Sequence, residues 1–257
     1  MNKEHTDIFN DIDFLIPVYI EHEDRIRNLK ILTKYLKALG CTNIFVNEYY
    51  RDAPKVQNIV SGYISKDITT HDFYNKMVCG NELYDEYSYS NVVCLCDSDA
   101  LISKKDFIDC YKKLIYSDFD FAYPYNGKFY DIPKDIVEKL DADFSTPINV
   151  DDCKFFAPAS HGGCVMFKKE VFKQGGKLNP NFKNVGYDDD EINIRYLKLG
   201  YKKYRSNSPL MHMTHFRGNT SYNFSKYVDH NARECGKVNS MSVEELQAYI
   251  KSWNANS

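Results

Sequence analysis

The stretch "VVCLCDSDALIS" (92–103) closes an apolar run with two carboxylates one residue apart: Val92 to Cys96 lead into Asp97-Ser98-Asp99, and Ala100, Leu101 and Ile102 resume the apolar character. A carboxylate at the end of a buried strand is costly unless it is paired or bound to a cation. Asp97 and Asp99 therefore suit a hard divalent ion that also contacts phosphate oxygens; a turn in which Asp97 caps backbone N–H groups has the same spelling. A second acidic group, Asp188-Asp189-Asp190-Glu191, precedes an apolar face of Ile192, Tyr196 and Leu199. Acidic residues at a helix N-terminus complement its dipole, but a run of this length behind flexible Gly186 exceeds what capping needs. One of them can accept a proton from a hydroxyl, although the dipole is expected to lower its pKa. In "LMHMTHFRGN" (210–219), His212 and His215 are spaced i, i+3. On a regular strand such residues point to opposite faces, so they share one metal only across a bulge or turn; otherwise one is structural and the other exposed. Gly162-Gly163, ahead of an apolar strand, permit close approach of backbone to a ligand or form a plain tight turn.

These groups must be held by a framework. "DFLIPVYI" (13–20) reads as a buried strand stopped near Pro17. The helix after it, 23–40, carries a stripe of Ile26, Leu29, Leu32, Leu36 and Leu39 and ends at Gly40. A strand over 42–48, loop and short strand within 51–60, helix over 71–87, strand over 91–97, helix over 103–117 with Ser103 as N-cap, and strand over 120–125 follow. This β-α-β-α-β-α-β order predicts an α/β fold with a central, mostly parallel twisted sheet flanked by helices. Ligands of such sheets bind outside the carboxyl ends of the strands, where Asp97 and Asp99 fall. Periodicity is poor over 131–156, and a short helix with a Ser242/Glu245 capping box closes the chain. No repeat or Pro/Gly/Ser linker divides it, so one domain over 1–257 is expected: a nucleotide-binding half, 1–125, and an acceptor-shaping, metal-completing half, 126–257.

Bulk properties narrow the class. The 257 residues carry a net charge of -3, so no basic field points to nucleic acid. Tyrosine and phenylalanine number 21 and 16 against one Trp, which fits either a biased genome or Tyr residues lining a polar ligand site. No run of about 18 apolar residues spans a membrane, and 1–14 has no hydrophobic signal region. Eight cysteines contain no CxxC pair, and Cys94 and Cys96 sit in an apolar strand. A reduced, cytoplasmic protein is the simplest expectation.

Taken in order, these segments resemble the metal-dependent glycosyltransferases of the GT-A fold, above all the β-1,4-galactosyltransferase family and its bacterial relatives. "FLIPVYIEHEDRIRNL" resembles the family's first strand and IPFR-type segment; "FYNKMVCGN" resembles its F-N-R-x4-N element, with Lys76 and Asn81 at matching positions. "CLCDSDALIS", "HGGCVMFKKEVFKQGG", "GYDDDEINIR" and "HMTHFRGN" resemble the F-x-D-x-D-L-I-P, F-G-G-V, G-G-E-D-D-D and M-x-x-H-x-R elements. The resemblance implies that Asp99 and His215 bind the metal, Mn2+ or Mg2+, with His212 where many relatives have a Met ligand. Imidazole is harder than thioether, which broadens the choice of ion. It implies Asp189 as catalytic base, Asp188 as the neighbour that holds the acceptor, and Asp97 on the sugar or ribose side of the donor. Pro17, Lys76, Gly162 and Gly163 fall in its substrate-binding elements. Val185 replaces the family's Trp, leaving Tyr187 as the nearby aromatic, and Tyr19 replaces an Arg. His22, Arg25 or Arg27 are candidates to take over phosphate or uracil contact, and Glu48 is a candidate for the base or ribose.

The implied reaction is an inverting transfer of a hexose or N-acetylhexosamine from a UDP-sugar to a hydroxyl of a glycan or lipid-linked saccharide, with peripheral contact to a membrane but no transmembrane segment. A sugar nucleotidyltransferase is the first alternative, but it usually needs a Gly-rich basic loop after the first strand, and "VYIEHEDR" has no Gly. A non-catalytic nucleotide-sugar-binding module would keep the same motifs without turnover. A zinc hydrolase using His212 and His215 lacks an HExxH.

Overall fold

In the computed structural model, residues 8–60, 62–218 and 226–254 are described. The apolar run at the start forms β1 (Ile12–Tyr19), buried along nearly its whole length. It continues through Pro17, contrary to the expected stop. Its pairing with β4 (Val92–Cys96) covers only 12–15, so Pro17 sits where one flank of the strand has no partner. A proline is tolerated there because no ladder bond is lost. The helix α1 (Glu23–Leu39) buries Leu29, Leu32 and Leu36, and Gly40 ends it in a left-handed conformation. Two parallel strands follow, β2 (Ile44–Tyr50) and β3 (Gly62–Asp67). The second lies beyond the 51–60 segment where a short strand was expected.

The helix predicted over 71–87 begins only at Lys76, as α2 (Lys76–Tyr87). Asn75 caps it by accepting from the Val78 N–H at 3.0 Å, and Asn75 itself is extended, in a bridge with Asn184. After β4 the chain runs through β5 (Ala100–Leu101), α3 (Lys104–Tyr116, capped by Ser103 as predicted), β6 (Phe121–Tyr123), β7 (Phe129–Ile132), α4 (Lys134–Ala142), β8 (Lys154–Ala157), β9 (Cys164–Lys168) and α5 (Lys169–Gln174). It ends with α6 (Asp188–Lys198), β10 (Lys203–Arg205), β11 (Leu210–Met213), α7 (Val228–Ser240) and α8 (Val243–Asn254). Ser242 and Glu245 form the predicted capping box, with bonds of 3.2 and 2.7 Å.

The main sheet has seven strands in the order β10-β6-β9-β4-β1-β2-β3. It is parallel except at β9, which runs antiparallel to both β4 and β6. The α/β class with a mostly parallel sheet flanked by helices is therefore as expected. The chain first winds outward from β1 to β3 and then returns to β4 on the other side of β1. That reversal opens a crevice at the carboxyl ends of β1 and β4, where ligands of open sheets bind. A second, four-stranded sheet, β5-β11-β7-β8, joins two strands at the edges of the region that lacked periodicity to β5 and β11 from elsewhere in the chain. Its strands are short and partly exposed, so they carry no long apolar pattern.

The core fills the space between sheet and helices. Phe107 of α3 packs edge-on against Phe14 of β1 at 5.4 Å, and Phe167, Phe172 and Tyr196 join β9, α5 and α6. Each fully buried Phe or Leu stabilises the fold by roughly 1.5–3 kcal/mol. Glu191 and Arg195, one turn apart on α6, are fully buried and paired at 2.7 Å. Arg195 also donates to the carbonyls of Gly175 and Lys177, which anchors α6 to the loop after α5. All eight cysteines are free. Among the described residues no helix is long and apolar enough to cross a membrane.

Candidate active site

The turn after β4 is tied at both ends. The Asp97 N–H donates to the Gly163 carbonyl at 2.8 Å, and β5 then pairs with β11 so that Ala100 faces His212. The Met213 N–H donates to the Asp99 carbonyl at 2.8 Å. Strand β11 ends at Met213, and the chain turns before His215. The turn removes the i, i+3 conflict: Nε2 of His212 lies 3.6 Å from one Asp99 oxygen and Nε2 of His215 lies 3.2 Å from the other. From α1, Asn28 donates to the Met213 carbonyl at 2.8 Å and Arg27 to that of Thr214 at 3.1 Å, which fixes the turn.

One carboxylate and two imidazole donors thus lie within 4.8 Å of one another. A divalent ion bonds such donors at about 2.0–2.2 Å, so the cluster fits one after small movements. The far nitrogens agree with that fit. His212 Nδ1 is 2.7 Å from an Asp131 oxygen, and His215 Nδ1 donates to the Phe216 carbonyl at 2.6 Å. Each imidazole therefore presents Nε2 toward Asp99. Burial opposes charge on His212, but Asp99 and Asp131 outweigh it and raise its pKa to about 9. Burial would raise Asp99, yet the two histidines hold it well below the usual carboxylate range.

The second half of the site gathers around Lys76, the first residue of α2. Its ammonium is 2.8 Å from Asp97, 3.7 Å from Asp188 and 3.9 Å from Asp189. The Asn75–Asn184 bridge brings it there by joining the start of α2 to the loop before α6. Burial would lower the Lys76 pKa, but the three carboxylates raise it well above the normal value. Asp188 accepts from the Gly186 N–H at 2.6 Å, while its other oxygen is buried without a hydrogen-bond partner. Asp189 opens α6 as predicted, but its expected acidity is reversed. Burial raises its pKa, Lys76 counters, and Asp188, Asp97 and Asp190 add to the rise, giving about 8. Its side chain remains 34% exposed to the cavity.

Of the residues singled out from the sequence for catalysis, substrate or metal, all but Glu48, His22 and Arg27 line one cavity of about 670 Å³. Pro17 and Tyr19 come from the end of β1, Gly162 and Gly163 from the approach to β9, and Tyr187 from the start of α6. Backbone at Gly162 comes close to the base: a Cβ there would lie 2.7 Å from an Asp189 carboxylate oxygen, which would have to move. Arg25 lines the cavity with its guanidinium 3.5 Å from Asp99. His22 and Arg27 do not line it; His22 caps α1. Asn81 brackets Leu178 through both backbone groups. Glu48 is fully buried and accepts from the N–H groups of Lys55 and Val56 and from the Tyr63 hydroxyl. It lines a separate hollow of about 300 Å³ beside Tyr19. Asp131, His161 and Arg217 carried no role in the sequence motifs, and Asp190 entered only as a member of the acidic run. His161 and Asp190 form a pair at 2.9 Å on the cavity wall, and Arg217 reaches Asp131 at 3.8 Å.

No family model matches this chain, and no curated protein does. Similar solved structures include two of Drosophila β-1,4-galactosyltransferase 7, one a mutant in complex with manganese, UDP-Gal and xylobiose, the other the catalytic domain in complex with xylobiose. Each is 16% identical over 76% of this chain, with TM-scores of 0.45 and 0.40. This chain spans 63% of the length of each. At that likeness neither assigns an activity.

Proposed function

We propose that the protein is a GT-A-type, metal-dependent glycosyltransferase that moves a hexose or N-acetylhexosamine from a UDP-sugar to a hydroxyl of a glycan or lipid-linked saccharide, with inversion. The observation that carries this reading is the convergence of three distant segments on one cavity: Asp97 and Asp99 after β4, Asp188 and Asp189 at the head of α6, and His212 and His215 at the end of β11. The order of motifs in the sequence supports it independently. Asp99, His212 and His215 would hold Mn2+ or Mg2+, which when bound neutralises charge developing on a leaving diphosphate. Arg25 adds a cation beside Asp99 on the same side.

The chain's own groups would do the rest. Asp189 accepts the proton of the attacking hydroxyl, whose oxygen then bonds the anomeric carbon as the bond from that carbon to the phosphate oxygen breaks. A base with a pKa near the working pH is well matched to that proton, and at about 8 Asp189 meets this condition. The Asp188 oxygen that faces Lys76 accepts from a second hydroxyl and orients the acceptor. Gly162 and Gly163 leave room for sugar against backbone. Lys76 keeps the acidic cluster tolerable before substrate arrives. A cytoplasmic setting with membrane-linked acceptors suits this chemistry. The test is a screen of nucleotide-sugars with Mn2+ for UDP release: release that needs both the ion and Asp189 is expected, and release unaffected by EDTA would exclude the metal assignment.

A further inference from the structure

Strand register places a residue behind the metal cluster that none of the motifs contains. Strand β11 lies between β5 and β7, with His212 opposite Ala100 on one side and opposite Asp131 on the other. The imidazole therefore spans two carboxylates: Nδ1 is 2.7 Å from Asp131 and Nε2 is 3.6 Å from Asp99. His212 is 6% exposed and its ring rests against Phe129 at 5.1 Å, so it has little room to turn. The second oxygen of Asp131 faces Arg217 at 3.8 Å, which holds the carboxylate in place from behind.

We infer that Asp131 is the positioning residue that makes His212 a metal ligand. The inference rests on the proposed metal-dependent reading. A carboxylate accepts only an N–H, so Asp131 keeps the hydrogen of a neutral His212 on Nδ1 and leaves the Nε2 lone pair for the ion. The same contact increases the basicity of the donor nitrogen. Carboxylate partners of this kind change metal affinity by about 10–100-fold when removed. Asp131 is not one of the clustered donors, so it acts on the ion through His212. A methionine at position 212 has no N–H for it to accept, so in that background Asp131 has nothing to orient.

Mn2+ binding to the full chain, followed by calorimetry and by the electron-spin resonance of the free ion, tests this in four proteins: wild type, Asp131→Asn, His212→Met and the double variant. Asp131→Asn is expected to weaken Mn2+ by about 10–100-fold beside His212, and to leave the affinity of the His212→Met protein unchanged. Unaltered affinity in Asp131→Asn, or an equal loss in both backgrounds, would overturn the inference while leaving a metal site in place. A wild-type protein that binds no Mn2+ would overturn the metal reading as well. Nitrogen NMR of wild-type protein loaded with diamagnetic Zn2+ needs no variant to fold. It should show the His212 hydrogen on Nδ1, and a hydrogen on Nε2 would contradict the inference.

Discussion

Asp189 sits among charges that act on it in opposite directions. Burial and its acidic neighbours push its pKa to about 8, and Lys76 at 3.9 Å pulls it down. The basic form is the active one in the proposed transfer, so kcat/KM should rise with pH and level off above about 8. Removing the Lys76 charge by Lys76→Met lets the pKa climb further, and the rising limb of the pH profile should move to higher pH. Asp189→Asn removes the base and should lower transfer by about 10²–10⁴-fold. Mn2+ affinity should stay the same, because the metal cluster draws on other residues; near-normal transfer by this variant would remove Asp189 from the mechanism. A milder probe is Gly162→Ala. Its methyl would crowd the Asp189 carboxylate at 2.7 Å, so transfer should fall in a steady-state assay while metal affinity measured by calorimetry is retained.

Elements decide whether these side chains meet. The turn carrying His215 hangs on α1 through Asn28, which is fully buried and donates to the Met213 carbonyl. Asn28→Ala leaves that buried acceptor unpaired, which costs about 1–3 kcal/mol. Urea unfolding should show that loss, and Mn2+ binding should weaken with it. The head of α6 depends on the buried Glu191–Arg195 pair. Glu191→Gln strands a buried guanidinium, and breaking such a pair costs about 3–5 kcal/mol, readable in the same experiment. Much of this was legible in advance. The first half alternates strands and helices whose apolar patterns are local, so α1 could be placed from its stripe of Ile26, Leu29, Leu32, Leu36 and Leu39, β4 from the apolar run ending at Cys96, and α3 from the segment that Ser103 caps. The second sheet was not legible. Its strands are short, and what matters about Asp131 is its register with His212, which no local pattern encodes. The setting of Glu48 was not legible for a related reason: β2 runs past it to Tyr50, and the loop at 55–56 returns to occupy its carboxylate.

At the scale of the molecule, the site is where two sheets join. Strand β4 belongs to the main sheet and β5, four residues on, to the small one, with Asp97 and Asp99 in between. The main sheet contributes Pro17, Tyr19 and the crevice at its switch point, and the small sheet contributes His212 and its backing. Donor binding should therefore depend on both sheets and on the ion together. The most direct measurement is calorimetric titration of UDP into the protein with Mn2+ or with EDTA. UDP is expected to bind with Mn2+, to lose binding in EDTA or in His215→Ala, and to bind normally to Asp189→Asn. UDP binding of equal strength in EDTA, or intact in His215→Ala, would contradict the assembly of Asp99, His212 and His215 into a donor-binding metal site.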